Sequence, residues 1–270
     1  MADTTNKVED KAEENLVEFL RDAQDTLDMP AQEAERQEAL EIEDAPLSEN
    51  RVTPEGVKNH PHVQHYIQAA NQHLKLLGYT EHGERHVNLV SSIASNVLSR
   101  LEFTERQVEL AAIAGLLHDI GNVVNRDAHG QIGALMAKDV LLDLGMDMRE
   151  IALIMGAVGN HEEARGHATS PVAAALILAD KADVHRSRVQ DPPQDLNFDI
   201  HDRVNYAVTN SFLRVEPDKC CIALELEIDT DIASVMDYFE ISLARMVMCR
   251  SASEFLGCAF GLDVNGQRLS

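Results

Sequence analysis

From about Pro54 onward, apolar residues recur at helical spacing, and short turns interrupt the pattern. This periodicity is typical of amphipathic helices that pack against one another. It predicts helices over residues 62–77, 81–100, 104–119, 131–144, 148–158 and 172–185. Thr104 followed by Gln107 indicates a capping box at the start of the third helix. That helix is apolar almost all round, so we expect it at the centre of the fold.

The pattern changes in the last part of the chain, where apolar and polar residues alternate. Two alternating segments predict a hairpin joined through Pro217-Asp218-Lys219, followed by a helix and a final strand. These elements are predicted over residues 209–216, 220–228, 232–255 and 259–264. The sequence therefore predicts a mainly α protein, with a helical core over residues 54–192 and a small α+β unit over residues 193–270.

The C-terminal unit could act as a dimerisation surface, a lid or a stabilising cap, and we favour packing or a homodimer. Cys220 and Cys221 are adjacent in a predicted strand. Their side chains would then point to opposite faces, which makes a mutual disulfide or a shared metal a poor interpretation. We expect structural cysteines.

Residues 1–50 contain few bulky apolar side chains, and residues 1–44 carry fifteen acidic and four basic residues. This composition favours a tail that is transiently helical or disordered. The whole chain has a net charge of −23, which argues against binding to duplex nucleic acid. No apolar run approaches the roughly 18 residues of a membrane span, and MADTTNKVED has no secretory signal pattern, so we expect a cytoplasmic protein without a membrane partner.

The pair His118-Asp119 lies at the end of an apolar run, and Ile120 and Gly121 follow it directly. Buried ionisable groups are costly unless they are paired or bind a cation. Further polar residues fall on the predicted inner faces of other helices, namely His86, His129, His161 and Asp180. A divalent cation could satisfy all of them at once, so the pattern predicts a metal site.

In order and approximate spacing, His86, His118-Asp119 and Asp180 resemble the H…HD…D signature of HD-domain metal-dependent phosphohydrolases. The resemblance covers roughly residues 60–190. It implies a helical HD core built around one or two divalent metals, with Mn, Fe or another transition metal favoured and Mg also compatible.

Two further segments of the sequence resemble motifs of the binuclear branches of that superfamily. His129-Gly130-xx-Gly133-Ala134 followed by His161 resembles HD-type diadenosine tetraphosphate hydrolases, and His161-Glu162-xxx-Gly166 resembles HD-GYP cyclic di-GMP phosphodiesterases. Asn160 and Asn122 depart from those patterns, and residues 167–171 contain no Gly-Tyr-Pro. The resemblance implies Asp119 as a bridging carboxylate, with His86, His118 and Asp180 around one metal. It implies His129 and His161 around the second.

Phosphate recognition needs donors near the metals, and the predicted helix that carries Asp180 continues into basic residues. The candidates for substrate binding are Lys181, Arg186 and Arg188, with His185 beside them. Lys181 and Asp119 are the candidates for a catalytic role. Weaker candidates are Arg85, Glu162 and Asp183, which could orient a ligand or face solvent. His82 shares a helical face with His86, and we expect it to be exposed or to face substrate.

The leading hypothesis is hydrolysis of a phosphoester or phosphoanhydride in a nucleotide or related small molecule by metal-activated water. One alternative is an HD-fold di-iron oxygenase, because similar ligands can support oxygen chemistry. The other is a non-catalytic nucleotide-binding regulator, suggested by Asn122 and by the absence of Gly-Tyr-Pro.

Overall fold

A computed structural model describes residues 51–163, 166–190 and 199–269. These residues all belong to one compact unit. The acidic segment over residues 1–50 and the proposed boundary at residues 192–193 lie outside the described residues.

The mainly helical prediction is confirmed, and the described residues contain nine α-helices with a small sheet near the C-terminus. The helices of the core are α1 (Pro54–Lys58), α2 (Pro61–Leu76), α3 (Glu84–Arg100), α4 (Glu105–Leu117), α5 (His129–Asp143), α6 (Met148–Gly159) and α7 (Pro171–Ala182). The C-terminal elements are α8 (Ile200–Ala207), β1 (Val208–Glu216), β2 (Cys221–Ile228), α9 (Val235–Phe255), β3 (Ala259–Val264) and β4 (Gln267–Arg268).

Helix α4 lies at the centre of the core, as its apolar character predicts. Thr104 and Gln107 form the predicted capping box, which satisfies backbone donors at the start of the helix. Leu110, Ile113 and Leu117 are buried, and α4 packs against α3, α6 and α7. The chain segment that ends in His118-Asp119 is therefore surrounded by other helices.

Helix α7 is the second central element. Ser170 caps its first turn, Pro171 occupies the first helical position, and almost all of its residues are buried. It contacts α3, α4 and α6 on the core side and α9 on the other. Helix α7 thus joins the core to the C-terminal segment.

The C-terminal strands form one sheet in the order β1-β2-β3-β4. Strands β1 and β2 make the predicted hairpin, and Leu213 pairs with Leu224 on its buried face. Strands β2 and β3 run parallel, and α9 connects them and packs on β3 and α7. The α+β appendage is confirmed as a part of the fold.

Several predicted boundaries differ from the structure, and α3 and α9 begin at Glu84 and Val235 rather than at residues 81 and 232. The Asp180 helix ends at Ala182 because Asp183 turns out of helical geometry, with φ −82° and ψ 72°, and residues Arg186–Arg188 form a separate 3₁₀ turn. Helix α5 starts at His129, directly after Ala128 at φ 57°. Cys220 precedes β2 in a left-handed conformation, so the two cysteines are not consecutive strand residues.

Among the described residues, no helix has both the length and the apolar character needed to cross a membrane.

Gly115 allows α3 and α4 to approach closely, because a Cβ at this position would lie 2.6 Å from the Cα and N atoms of Ser91. We expect Gly115→Ala to lower the free energy of unfolding by about 1–3 kcal/mol, the usual cost of overpacking a core. Urea denaturation followed by circular dichroism measures this change. The matched control is Gly156→Ala within α6, whose Cβ would meet only Thr169 Oγ1 at an ordinary 3.5 Å. Equal unfolding free energies for the two variants would contradict the close-approach argument.

Candidate metal centre

Six predicted ligands lie at or near helix ends that meet in the middle of the core. His86 is in the first turn of α3 and Asp180 is in the last turn of α7. His118-Asp119 follows α4, His129 begins α5, and His161 follows α6. All six side chains come together, although they are separated by up to 94 positions in the sequence, from residue 86 to residue 180.

Gly121 fixes the turn that brings two of these segments together. A Cβ on Gly121 would lie 2.0 Å from the backbone oxygen of His129, so no other residue fits without moving α5. The turn after Asp119 therefore packs directly on the start of α5.

The first group of donor atoms surrounds His86 Nε2. That atom lies 3.1 Å from His118 Nε2, 3.3 Å from Asp180 Oδ1 and 3.4 Å from Asp119 Oδ2. His118 Nε2 lies 3.2 Å from the same Asp119 oxygen and 3.7 Å from Asp180 Oδ1. Donors about 2.1 Å from one cation are spaced by roughly 3.0–3.4 Å in octahedral or tetrahedral geometry, so this group fits a divalent metal.

The second group surrounds the other oxygen of Asp119. Asp119 Oδ1 lies 3.2 Å from His129 Nε2 and 3.9 Å from His161 Nε2, and the two imidazole nitrogens are 3.1 Å apart. His118, Asp119 and His161 also form a group that could hold a metal. Each carboxylate oxygen of Asp119 thus faces a different pair of histidines.

The four histidines present the same nitrogen to the centre. Each Nδ1 atom contacts an oxygen on the outer side of its ring, at 2.6–3.0 Å. The partners are Asp183 Oδ2 for His86, Gly115 O for His118, Arg126 O and Glu162 Oε1 for His129, and Val158 O for His161. Such contacts favour a proton on Nδ1 and leave the Nε2 lone pair free for a metal.

Asp119 Oδ2 is buried and accepts no hydrogen bond within the described residues. Burial acts to raise the pKa of Asp119, but His118, His129 and His86 outweigh it and hold the pKa well below its ordinary value. Burial acts to lower the pKa of His118, but Asp119 and Asp180 outweigh it and raise this pKa to about 10. Burial, with His118 nearby, lowers the pKa of His161 to about 3. The cluster therefore keeps its carboxylates ionised and attracts positive charge to the first group.

A second set of residues orients the ligands. Asp183 contacts His86 at 2.7 Å and also accepts two hydrogen bonds from Arg85. Asn122 donates to Asp119 Oδ1 at 2.9 Å and to the Asp119 backbone oxygen at 3.0 Å. In the sequence, Asn122 stands out only as a departure from the HD-type pattern. Its position three residues after Asp119, at the end of the apolar run, is the sequence feature that could have indicated this contact.

A cavity of about 30 Å³ opens beside the cluster, and all of its lining residues are ionisable. They are His82, Asp119, Arg126, His129, His161, Glu162, Glu163, Asp180, Lys181, Arg188 and Arg245. Four of them are Lys or Arg, on a chain whose net charge is −23. The cavity therefore places four cationic side chains, together with four carboxylates, next to the donor cluster.

The predicted substrate-binding residues have different positions. Lys181 lines the cavity with Nζ 2.7 Å from Asp180 Oδ2. Arg188 also lines it, but its guanidinium donates to the backbone oxygens of Glu81 and Asp183. Arg186 does not line the cavity and lies over the ring of Tyr206. His185, also outside the lining, lies 3.1 Å from Thr209 O through its Nε2.

His82 and Arg245 complete the lining. His82 lines the cavity and is only 8% exposed, so of its two expected positions the exposed one is wrong and the one facing substrate stays a prediction. Arg245 comes from α9 and was not among the predicted site residues. Because Arg245 is far in sequence from the other lining residues, no local pattern indicates that it reaches the cavity.

The family model for the HD domain matches residues 79–185. This range contains all six candidate ligands and ends well before Arg245. Comparison with curated proteins gives no match.

A proton and a metal compete for His118 Nε2, because the raised pKa keeps this ring protonated at neutral pH. Metal binding should therefore release a proton, and affinity should rise about tenfold per pH unit for each proton displaced, up to about pH 10. Chelator competition at pH 6.5 and 7.5, with calorimetry in buffers of different ionisation enthalpy, measures both effects. An affinity that does not change with pH, with no proton release, would rule out this competition.

Proposed function

Residues 79–185 form an HD domain, and on that premise we propose that the protein is a metal-dependent phosphohydrolase. Its substrate would be a nucleotide or a related small phosphorylated molecule, cleaved at a phosphoester or phosphoanhydride bond. HD domains bind divalent metals and are mostly metal-dependent hydrolases. The observation that carries the proposal is the buried Asp119 carboxylate, whose two oxygens face two different pairs of histidine Nε2 atoms beside a cavity that contains Lys and Arg side chains.

A divalent metal held by these residues would lower the pKa of a bound water towards neutrality and polarise a phosphoryl oxygen. His86, His118 and Asp180 would hold one ion, His129 and His161 would hold a second, and Asp119 would contact both. Asp183 fixes the His86 ring through Nδ1, and Asn122 fixes the Asp119 carboxylate. The ligand atoms are thus positioned before a substrate arrives.

Water is the nucleophile that this lining favours. Among the described residues, the cavity lining contains no serine, threonine or cysteine side chain. The carboxylates of Asp119 and Asp180 are both in contact with histidine nitrogens, and Asp180 is also in contact with Lys181. A covalent intermediate on the protein is therefore not needed for this chemistry.

Lys181 is our candidate for stabilising the phosphoryl group as its charge develops. Its side chain is buried and next to Asp180, where burial lowers its pKa less than Asp180 and Glu163 raise it. Lys181 therefore stays an ammonium ion at neutral pH. A fixed positive charge in a water-poor site is suited to phosphoryl oxygens.

The test compares wild-type protein with Asp119→Asn, a substitution that keeps the size of the side chain and removes its charge. We expect wild-type protein to carry one or two metals per chain by elemental analysis. With Mn or Fe restored, it should hydrolyse a member of a nucleotide and phosphodiester panel. Asp119→Asn should lose hydrolysis by about 10³-fold or more, because removal of a bridging ligand disables metal-activated water.

His65→Ala is the matched control, since His65 is an exposed histidine of α2, outside the cavity lining, whose ring contacts the backbone oxygen of Pro61. It should keep full activity, and circular dichroism should show a native helical content for both variants. Full turnover in Asp119→Asn would refute the proposed site. Oxygen consumption by iron-loaded protein without hydrolysis would instead support the oxygenase alternative.

A further inference from the structure

One carboxylate at the cavity wall lies between two cations that come from distant parts of the chain. Glu163 Oε1 is 3.1 Å from Lys181 Nζ on α7 and 3.1 Å from Arg245 Nε on α9. All three residues line the cavity. Arg245 lies beyond the residues that match the HD domain, so this arrangement depends on the C-terminal segment.

Arg245 retains unused donors at this position. Its side chain is 31% exposed, and no partner other than Glu163 is seen for its guanidinium within the described residues. Arg188, by contrast, is buried and donates three hydrogen bonds to the backbone oxygens of Glu81 and Asp183. Of these two cavity arginines, Arg245 is the one able to accept a new anion.

The position is also next to the donor cluster. Lys181 Nζ contacts Asp180 Oδ2 at 2.7 Å, while Asp180 Oδ1 faces His86 and His118. Two short polar contacts thus connect the ligand Asp180 to Glu163. A second phosphate on a molecule whose first phosphate is near the cluster could reach this place.

We propose that Lys181 and Arg245 form a subsite for a second phosphate group of the substrate, and that the Glu163 carboxylate occupies this subsite when substrate is absent. The inference rests on the proposed function and narrows its substrate class to molecules that carry two neighbouring phosphates. A bidentate guanidinium contact would replace the single Nε contact to Glu163. Glu163 is a competitor for the subsite and not a catalytic residue.

The test measures binding of methylenediphosphonate and methylphosphonate to metal-loaded protein by calorimetry. Neither compound has a hydrolysable bond between phosphorus atoms, and they differ in the second phosphonate. We expect wild-type protein to bind methylenediphosphonate more tightly. Arg245→Gln should weaken that binding about tenfold and change methylphosphonate binding less than twofold. Glu163→Gln should strengthen methylenediphosphonate binding, because a competing anion is removed.

Arg149→Gln is the control, since Arg149 is an exposed arginine that pairs with Asp147 away from the cavity lining. It should leave both affinities unchanged. If Lys181, Glu163 and Arg245 serve only to position Asp180, Glu163→Gln should weaken the binding of methylenediphosphonate. That result would overturn the inference. If wild-type protein hydrolyses none of the panel compounds but the phosphonate affinities of wild type and variants are as expected, the result counts against the proposed function. The subsite would still be supported.

A separate observation concerns the opposite face of α9. Met236, Leu243 and Val247 are exposed by 73%, 62% and 43%, and they follow one stripe of the helix. Glu240 and Arg250 are exposed on the same stripe, and neither has an ion-pair partner among the described residues. Arg245 points away from this stripe, so the two faces can be tested independently.

The stripe is complementary to itself. In an antiparallel pair of α9 helices related by a two-fold axis level with residue 245, Leu243 faces Val247 of the second copy. The same axis places Glu240 opposite Arg250 of the second copy. A two-fold interface requires this reciprocity, and an apolar centre with charged flanks is typical of an interface.

We infer that a second copy of this chain covers the stripe. Sedimentation analysis of the full chain should show a concentration-dependent dimer, because the apolar centre is small. Glu240→Arg should give a monomer through repulsion from Arg250, and Glu240→Arg with Arg250→Glu should restore the dimer. A wild-type monomer at all concentrations, or a double variant that stays monomeric, would overturn the inference and make residues 1–50 the next occupant to test.

Discussion

The contact on which this structure depends is the one between the buried Asp119 carboxylate and the histidines on either side of it. An ionised carboxylate inside a protein is unfavourable unless charge and hydrogen bonds compensate for the lost water. Asn122 supplies a hydrogen bond to one oxygen, and the other oxygen faces only imidazole nitrogens. A proton on His118, whose pKa is raised to about 10, supplies part of the remaining compensation, and a bound cation would take the place of that proton.

The need to compensate the charge of the buried Asp119 carboxylate accounts for a feature that apolar packing alone does not explain, namely that helix ends meet in the middle of the core. The core brings together the starts of α3 and α5 and the ends of α4, α6 and α7. Helix ends leave backbone groups free and allow sharp turns, which is why a ligand there can face inward while the helix continues elsewhere. Gly115 and Gly121 permit close approaches of α4 to α3 and of the turn after Asp119 to α5. Apolar packing fixes the helices, and the two glycines bring the ligands within contact distance.

The sequence predicted the helical core and the convergence of six ligands, because both depend on local signals. Helical periodicity identifies the inner face, and a polar residue on that face is conspicuous. The end of α7 was not predicted, since Asp183 leaves the helix through tertiary contacts with His86 and Arg85. Arg245 was missed for a related reason, because it reaches the cavity only through the packing of α9 on α7. Long-range contacts of this kind have no counterpart in sequence spacing.

On the proposed function, metal supply would also become a term in the stability of the protein. The histidine nitrogens and carboxylate oxygens lie within contact distance of one another only in the folded state, so a cation held by them would bind the folded chain and not the unfolded one. By mass action, a metal present at 100 times its dissociation constant would add about 2.7 kcal/mol to folding. A fall in available metal would therefore lower the folded fraction as well as the activity, so the amount of this protein in a cell would follow the supply of its ion.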